Sequence, residues 1–115
     1  MNMSNLEYGS SIYLAGPMRG KPCMNFREFF HFEYMFVQSG YKVINPAAMD
    51  VKRWMDGEAW EDCHYPRILL EDLKWITEVD AVFFLVGWED SPGASAEHAF
   101  ATAIGKPCYY EEEKR

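Results

Sequence analysis

The fold is decided by Ala81-Val82-Phe83-Phe84-Leu85-Val86 together with the adjoining stretch Gly87-Trp88-Glu89-Asp90-Ser91-Pro92-Gly93-Ala94-Ser95-Ala96-Glu97-His98-Ala99-Phe100-Ala101. Six apolar residues with no alternation read as a strand buried on both faces, the pattern of a parallel sheet. Ala94 to Ile104 reads as a helix stopped by Gly105-Lys106-Pro107. Between them lies a loop of small residues. A strand, a small-residue loop and a helix N-terminus form an anion or sugar site, because backbone can approach a ligand and free N–H groups face it. Glu97 then falls in the first turn of that helix. It is either an acid favoured there by the helix dipole or a carboxylate aimed at the strand ends, able to attack a sugar carbon.

Working outward, the chain alternates strand and helix. Ser10 to Ala15 is a first strand, leading into a turn-rich loop, Gly16-Pro17-Met18-Arg19-Gly20-Lys21-Pro22. Asn25 can cap a helix running to Gln38, which Ser39-Gly40 ends. Tyr41 to Ile44 is a short second strand. Asn45 to Tyr65 is a long connection, of a length that often marks a functional loop. Pro66 suits the first position of a helix to Glu78, and Pro107 to Tyr110 is the last strand. This order implies a single α/β domain over residues 1–115. It is a Rossmann-like (flavodoxin-like) three-layer sandwich on a mainly parallel sheet, with residues 1–9 and 111–115 flexible. A strand order of 2-1-3-4 puts the switch point between strands one and three, where open α/β sheets bind ligands. The loops Gly16 to Lys21 and Gly87 to Ser95 meet there.

Composition narrows the class. The 115 residues are 49% apolar and 17% aromatic, enough for a real core. No apolar run approaches the ~20 residues of a membrane span, and the first residues lack the basic and apolar regions of a signal peptide, so the expected compartment is the cytoplasm. A net charge of −7 argues against binding a nucleic-acid polymer. Cys23, Cys63 and Cys108 show no paired spacing, and His31, His64 and His98 are scattered, so neither a disulfide framework nor a metal site is expected.

Three segments in order carry a resemblance. Ile12-Tyr13-Leu14-Ala15-Gly16-Pro17-Met18-Arg19-Gly20 resembles the opening of the nucleoside 2-deoxyribosyltransferase superfamily, in particular its deoxynucleoside 5′-monophosphate N-glycosidases and a small phage and bacterial family beside them. Asp72-Leu73-Lys74-Trp75-Ile76 with Asp80-Ala81-Val82 resembles the helix-to-strand segment of that superfamily. Ser91-Pro92-Gly93-Ala94-Ser95-Ala96-Glu97 resembles its catalytic segment. The likeness spans residues 11 to 108. It implies that Glu97 attacks the anomeric carbon of a 2-deoxyribose, displaces the base and forms a glycosyl ester, which water or a second base resolves. It implies that Asp72 positions the sugar or assists proton movement, and that Tyr13 orients the nucleophile. No cofactor is then required.

The same resemblance makes Gly16, Met18, Arg19, Gly20, Ser91 and Gly93 a grip on a 5′-phosphate. Arg holds phosphate through parallel charged hydrogen bonds, although a solvated loop Arg beside Lys21 fits the residues too. Ser95 stands where the glycosidases have glycine, and its side chain either crowds the sugar or adds a hydroxyl. Asn45 either contacts ligand or serves a turn. Trp88, Trp54 and Trp60 either stack on a base or anchor loops. Asp72 lies between Leu69 and Ile76 at helical spacing, near an apolar face where an acid needs partners, whereas Asp80 reads as structural. Phe26, Phe29, Phe30, Phe32, Tyr34, Met35, Phe36 and Val37 cover more than one face of their helix. One sheet buries about one stripe, so a homodimer or larger homo-oligomer through the 25–38 helix is expected. A noncatalytic nucleotide-binding or sensing module on this fold is the alternative, and it has no need of Glu97. A structural partner protein, needing only the aromatic helix, is a third.

Overall fold

The computed structural model describes residues 3, 5–57 and 65–113. The expectations for the rest of the tails (residues 1, 2, 4, 114 and 115) and for Trp60, Cys63 and His64 lie outside the described residues. Among the described residues four strands, β1 (Ser11–Ala15), β2 (Lys42–Ile44), β3 (Ala81–Phe84) and β4 (Cys108–Tyr110), form one sheet in the order β2-β1-β3-β4. All three pairings are parallel, with Tyr13 in register with Ile44 on one side and Val82 on the other. The predicted order and its switch point between β1 and β3 therefore hold.

Pleating divides the core. Ile12, Leu14, Phe83 and Leu85 face one layer, where α1 (Phe26–Gln38) supplies Phe29, Phe32 and Phe36, and Ala47 joins them. The Phe83 ring lies 5.0 Å from both Phe32 and Phe36, so three aromatic rings fill the middle of this face. Tyr13, Ala15, Val82 and Phe84 face the other layer, against Ile76 of α3 (Tyr65–Glu78), Val79 and Ala101 of α4 (Pro92–Ala103). Consecutive residues on β1 thus point to different helices, and Tyr13 is delivered to the α3–α4 side. Of the excess apolar residues on α1, Phe30, Tyr34 and Val37 remain exposed as a stripe at i, i+4, i+7.

Three local expectations are corrected. The long connection after β2 contains a helix, α2 (Pro46–Met55), set by Asn45 at its N-cap, whose Oδ1 accepts from the Ala47 N–H at 2.9 Å, and by Pro46 at its first position. Asn25 does not cap α1 with its side chain. It is the last of three left-handed residues, Cys23, Met24 and Asn25, and its Nδ2 donates to the Pro17 carbonyl at 2.9 Å. α4 starts earlier than Ala94, because Ser91 caps it through the Ala94 N–H at 3.3 Å and Pro92 opens it. Glu97 is consequently its sixth residue, in the second turn.

At the chain ends, Met3 and Leu6 pack against the first core layer, and Glu111 Oε1 accepts from the Val86 N–H at 2.9 Å. Asp80 is structural as read: its Oδ2 accepts from the Ser11 N–H and hydroxyl, tying the start of β3 to the start of β1.

Candidate active site

A crevice of about 350 Å³ opens at the carboxyl ends of β1 and β3. The β1–α1 loop contributes Gly16, Pro17, Met18, Arg19, Lys21 and Met24, and the β3–α4 segment contributes Gly87 and Asp90 to Ala94. Two glycines are fixed by geometry. A Cβ on Gly16 would stand 2.8 Å from Leu85 Cβ, so only glycine lets β1 exit against β3, and Gly87 turns the chain at a φ of +91°. The opposite wall is Pro46 and Asp50 of α2 with Ile68, Leu69 and Asp72 of α3. Tyr13 and Glu97 form the floor.

Ala94, Glu97 and Ala101 share the buried face of α4 at i, i+3, i+7, and Glu97 is only 6% exposed. The dipole reading of this acid loses force, since that effect falls off within the first turn. Instead Glu97 Oε2 accepts a 2.5 Å hydrogen bond from the Tyr13 hydroxyl. Burial, then the nearby Asp72 charge, pushes Glu97 up to about 8, while the Tyr13 hydrogen bond pulls the other way. Burial and the Asp50 charge push Asp72 up to about 7, opposed by Arg53 and by Tyr13. Tyr13 is raised well above 10.0, by burial first and then by the Glu97 and Asp72 charges, so it remains a neutral donor. Two buried carboxyls sharing one donor ionise one after the other, so near neutral pH the pair holds about one proton. Asp72 Oδ1 is buried with no hydrogen-bond partner among the described residues, the state of a group that a ligand completes.

Tyr13, Asp72, Glu97, Gly16, Met18, Arg19, Ser91 and Gly93 all reach this crevice. Five expected contacts do not line it. Asn45 gives Oδ1 to the α2 cap and Nδ2 to Glu33, at 3.1 Å. Ser95 sits about 100° round the helix from Ala94, and its hydroxyl donates to the carbonyls of Trp88 and Glu89 at 3.3 and 3.1 Å. The Trp88 ring is stacked on His98 at 4.1 Å and lies 5.2 Å from Phe84, making it an anchor of the loop. Gly20 faces open space. Trp54 is exposed and away from the crevice lining.

The sequence reading missed the α2 side. Arg53 bonds Asp50 Oδ1 at 2.8 Å and Glu71 Oε2 at 2.9 Å, clasping α2 to α3 beside Asp72. Burial raises Asp50, and the Arg53 charge and hydrogen bond oppose that shift. The signal was Asn45-Pro46, a helix start that would have put Asp50 and Arg53 on one face at i, i+3.

Among the described residues no group of three or more His, Cys, Asp and Glu is arranged to hold a metal ion. No described helix is long and apolar enough to cross a membrane. Residues 10–110 match a family described as a domain of unknown function, DUF4406. A search of curated proteins finds no match.

Proposed function

The chain belongs to the DUF4406 family, and for it we propose an N-glycosidase or 2-deoxyribosyltransferase-like activity on a deoxynucleoside 5′-monophosphate, as the resemblance to the nucleoside 2-deoxyribosyltransferase superfamily implies. The observation that carries this reading is the buried Glu97, held by the Tyr13 hydroxyl at 2.5 Å beside Asp72 on the floor of a crevice. A surface acid at a helix start needs none of that arrangement.

In the proposed chemistry Glu97 reacts as the anion with the shared proton on Asp72. In the resting pair Glu97, at about 8 against about 7 for Asp72, is the weaker acid and holds the proton, so substrate binding has to move that proton to Asp72. The Tyr13 hydrogen bond to Oε2 favours the Glu97 anion once it forms. A Glu97 oxygen forms a bond to the anomeric carbon as the bond from that carbon to the base nitrogen breaks. The electron pair of the broken bond goes to the base, which takes its proton from Asp72. Asp72 then accepts a proton from water as the water oxygen attacks the same carbon, and the ester opens to return Glu97 as carboxylate. In a transfer reaction the nitrogen of a second base replaces the water.

Arg19, Ser91, Gly93 and the N-terminus of α4 are the proposed phosphate grip, charged and hydrogen-bonding groups around one end of the crevice. The exposed stripe Phe30, Tyr34 and Val37 on α1 is the proposed surface for a second copy of the chain.

The test is incubation of the pure protein with a panel of deoxynucleoside 5′-monophosphates, with free base followed by chromatography. The reading expects base release that vanishes in Glu97→Ala. Tight nucleotide binding without release, unchanged by the substitution, would identify a binding module instead.

A further inference from the structure

The two ends of the crevice differ in chemistry. The sheet order sets the β1–α1 loop beside the β3–α4 loop, which brings Arg19 and Lys21 together with the Ser91-capped start of α4. α2 comes after β2, on the far side of β1 from β3, and brings Pro46 and Asp50 to the other end. There Asp50 shares the crevice lining with Ile68 and Leu69, apolar groups suited to the faces of a flat ring. Its side chain is 14% exposed and, among the described residues, is bonded through Oδ1 alone, to Arg53 at 2.8 Å.

We propose that Asp50 selects the base, and that the bases it selects carry an exocyclic amine. This rests on the glycosidase reading, which puts phosphate at the cationic end, the anomeric carbon over Glu97 and the base toward α2. A carboxylate paired with arginine accepts hydrogen bonds and donates none. Its Oδ2 matches the N–H of an amino group at the base edge. A carbonyl oxygen at the same place sets acceptor against acceptor in a desolvated cleft, which leaves both groups without a donor. Cytosine and adenine satisfy Asp50, while uracil and hypoxanthine have the same ring skeletons with oxygen where the amine was. Shape alone cannot separate the members of either pair. Asp50 is therefore a specificity residue touching the leaving group, and Arg53 positions it.

The experiment is titration calorimetry on Glu97→Gln, which holds ligand without cleaving it. The probes are the 5′-monophosphates of deoxycytidine against deoxyuridine and of deoxyadenosine against deoxyinosine. The amino member of each pair is expected to bind roughly tenfold tighter or more. Adding Asp50→Asn should bring each ratio close to one, since an amide offers a donor as well as an acceptor. Binding of 2-deoxyribose 5-phosphate, which has no base, should be unchanged by that second substitution and shows that the crevice is intact. Equal affinities within the pairs, ratios that survive Asp50→Asn, or no binding of any of the four would overturn the proposal. Wild-type turnover separates the two claims. Discrimination without base release removes the glycosidase reading, and base release without discrimination removes the role of Asp50.

Discussion

The Tyr13 hydroxyl donates to Glu97 Oε2 across 2.5 Å, joining the middle of β1 to the second turn of α4, 84 residues along the chain. Pleating turns Tyr13 toward α4, and the buried stripe of α4 turns Glu97 toward β1. In the proposed activity that hydrogen bond holds the attacking oxygen and favours its charge. Tyr13→Phe should lower kcat/KM by about tenfold to a hundredfold, the range for a hydrogen bond to a charged group. Since the bond pulls the Glu97 pKa down, its loss should move the rising limb of the pH profile to higher pH. Steady-state rates from pH 5 to 9 read both effects.

The shared proton gives a second prediction. Glu97 lies at about 8 and Asp72 at about 7, each raised by burial and, for Glu97, by the charge of Asp72. Catalysis needs one anion and one acid in the pair, so kcat/KM should be bell-shaped with limbs on either side of that interval. Asp72→Asn removes the charge that raises Glu97. Its rising limb should move to lower pH and its falling limb should disappear.

The same shifts cost stability. Glu97 is raised from 4.5 to about 8 on folding, so the folded protein binds the proton more tightly than the unfolded chain does. Stability contributed by this site is fully present below the unfolded pKa and is lost as pH rises through the folded one. Glu97→Gln stays neutral and keeps an acceptor for Tyr13. It should be more stable than wild type at pH 8, by an amount on the order of a few kcal/mol, and nearly equal at pH 4. Thermal melts at the two pH values decide this.

Much of this was legible in the sequence, and the failures have one pattern. The strand at Ala81 and the crossover order come from apolar runs and local spacing, which parallel sheets obey strictly, whereas the grouping of Tyr13, Asp72 and Glu97 comes from the resemblance. Asn45, Ser95 and Trp88 do not line the crevice because their direction depends on partners distant in sequence or on a helix register shifted by Ser91. Those partners are Glu33 for Asn45 and His98 for Trp88. α2 was missed because its apolar face is narrow: Pro46 and Ala47 are buried, while Trp54 and Met55 stand in solvent. Asp50 and Arg53 went with it.

The Arg53 clasp yields a prediction independent of catalysis. Arg53→Met leaves Asp50 without its cation in a largely buried place and, among the described residues, leaves Glu71 with Arg67 alone, at 3.4 Å. Breaking it should cost about 1–3 kcal/mol at pH 7, less than a fully buried pair because Glu71 is half exposed. The Arg53 charge opposes the upward shift of Asp50, so the Asp50 pKa should rise further in the variant. Its deficit should shrink toward pH 4 as Asp50 takes up a proton. Denaturant unfolding at both pH values measures it.

The stripe on α1 predicts assembly. Phe30, Tyr34 and Val37 are each at least 40% exposed on one helix face. Sedimentation velocity should show a dimer or larger species at micromolar concentration, and Tyr34→Glu should shift it to monomer without unfolding. A wild-type monomer at high concentration would remove this part of the account.

The central claim is that the Glu97 carboxylate forms a bond to the sugar. The most direct measurement is rapid acid quench during turnover of the preferred monophosphate, with peptide mass spectrometry on the quenched protein. The account predicts a deoxyribosyl phosphate ester on the peptide containing Glu97, absent in Glu97→Gln. An ester on Asp72 instead, or base release by Glu97→Gln at the wild-type rate, would contradict it.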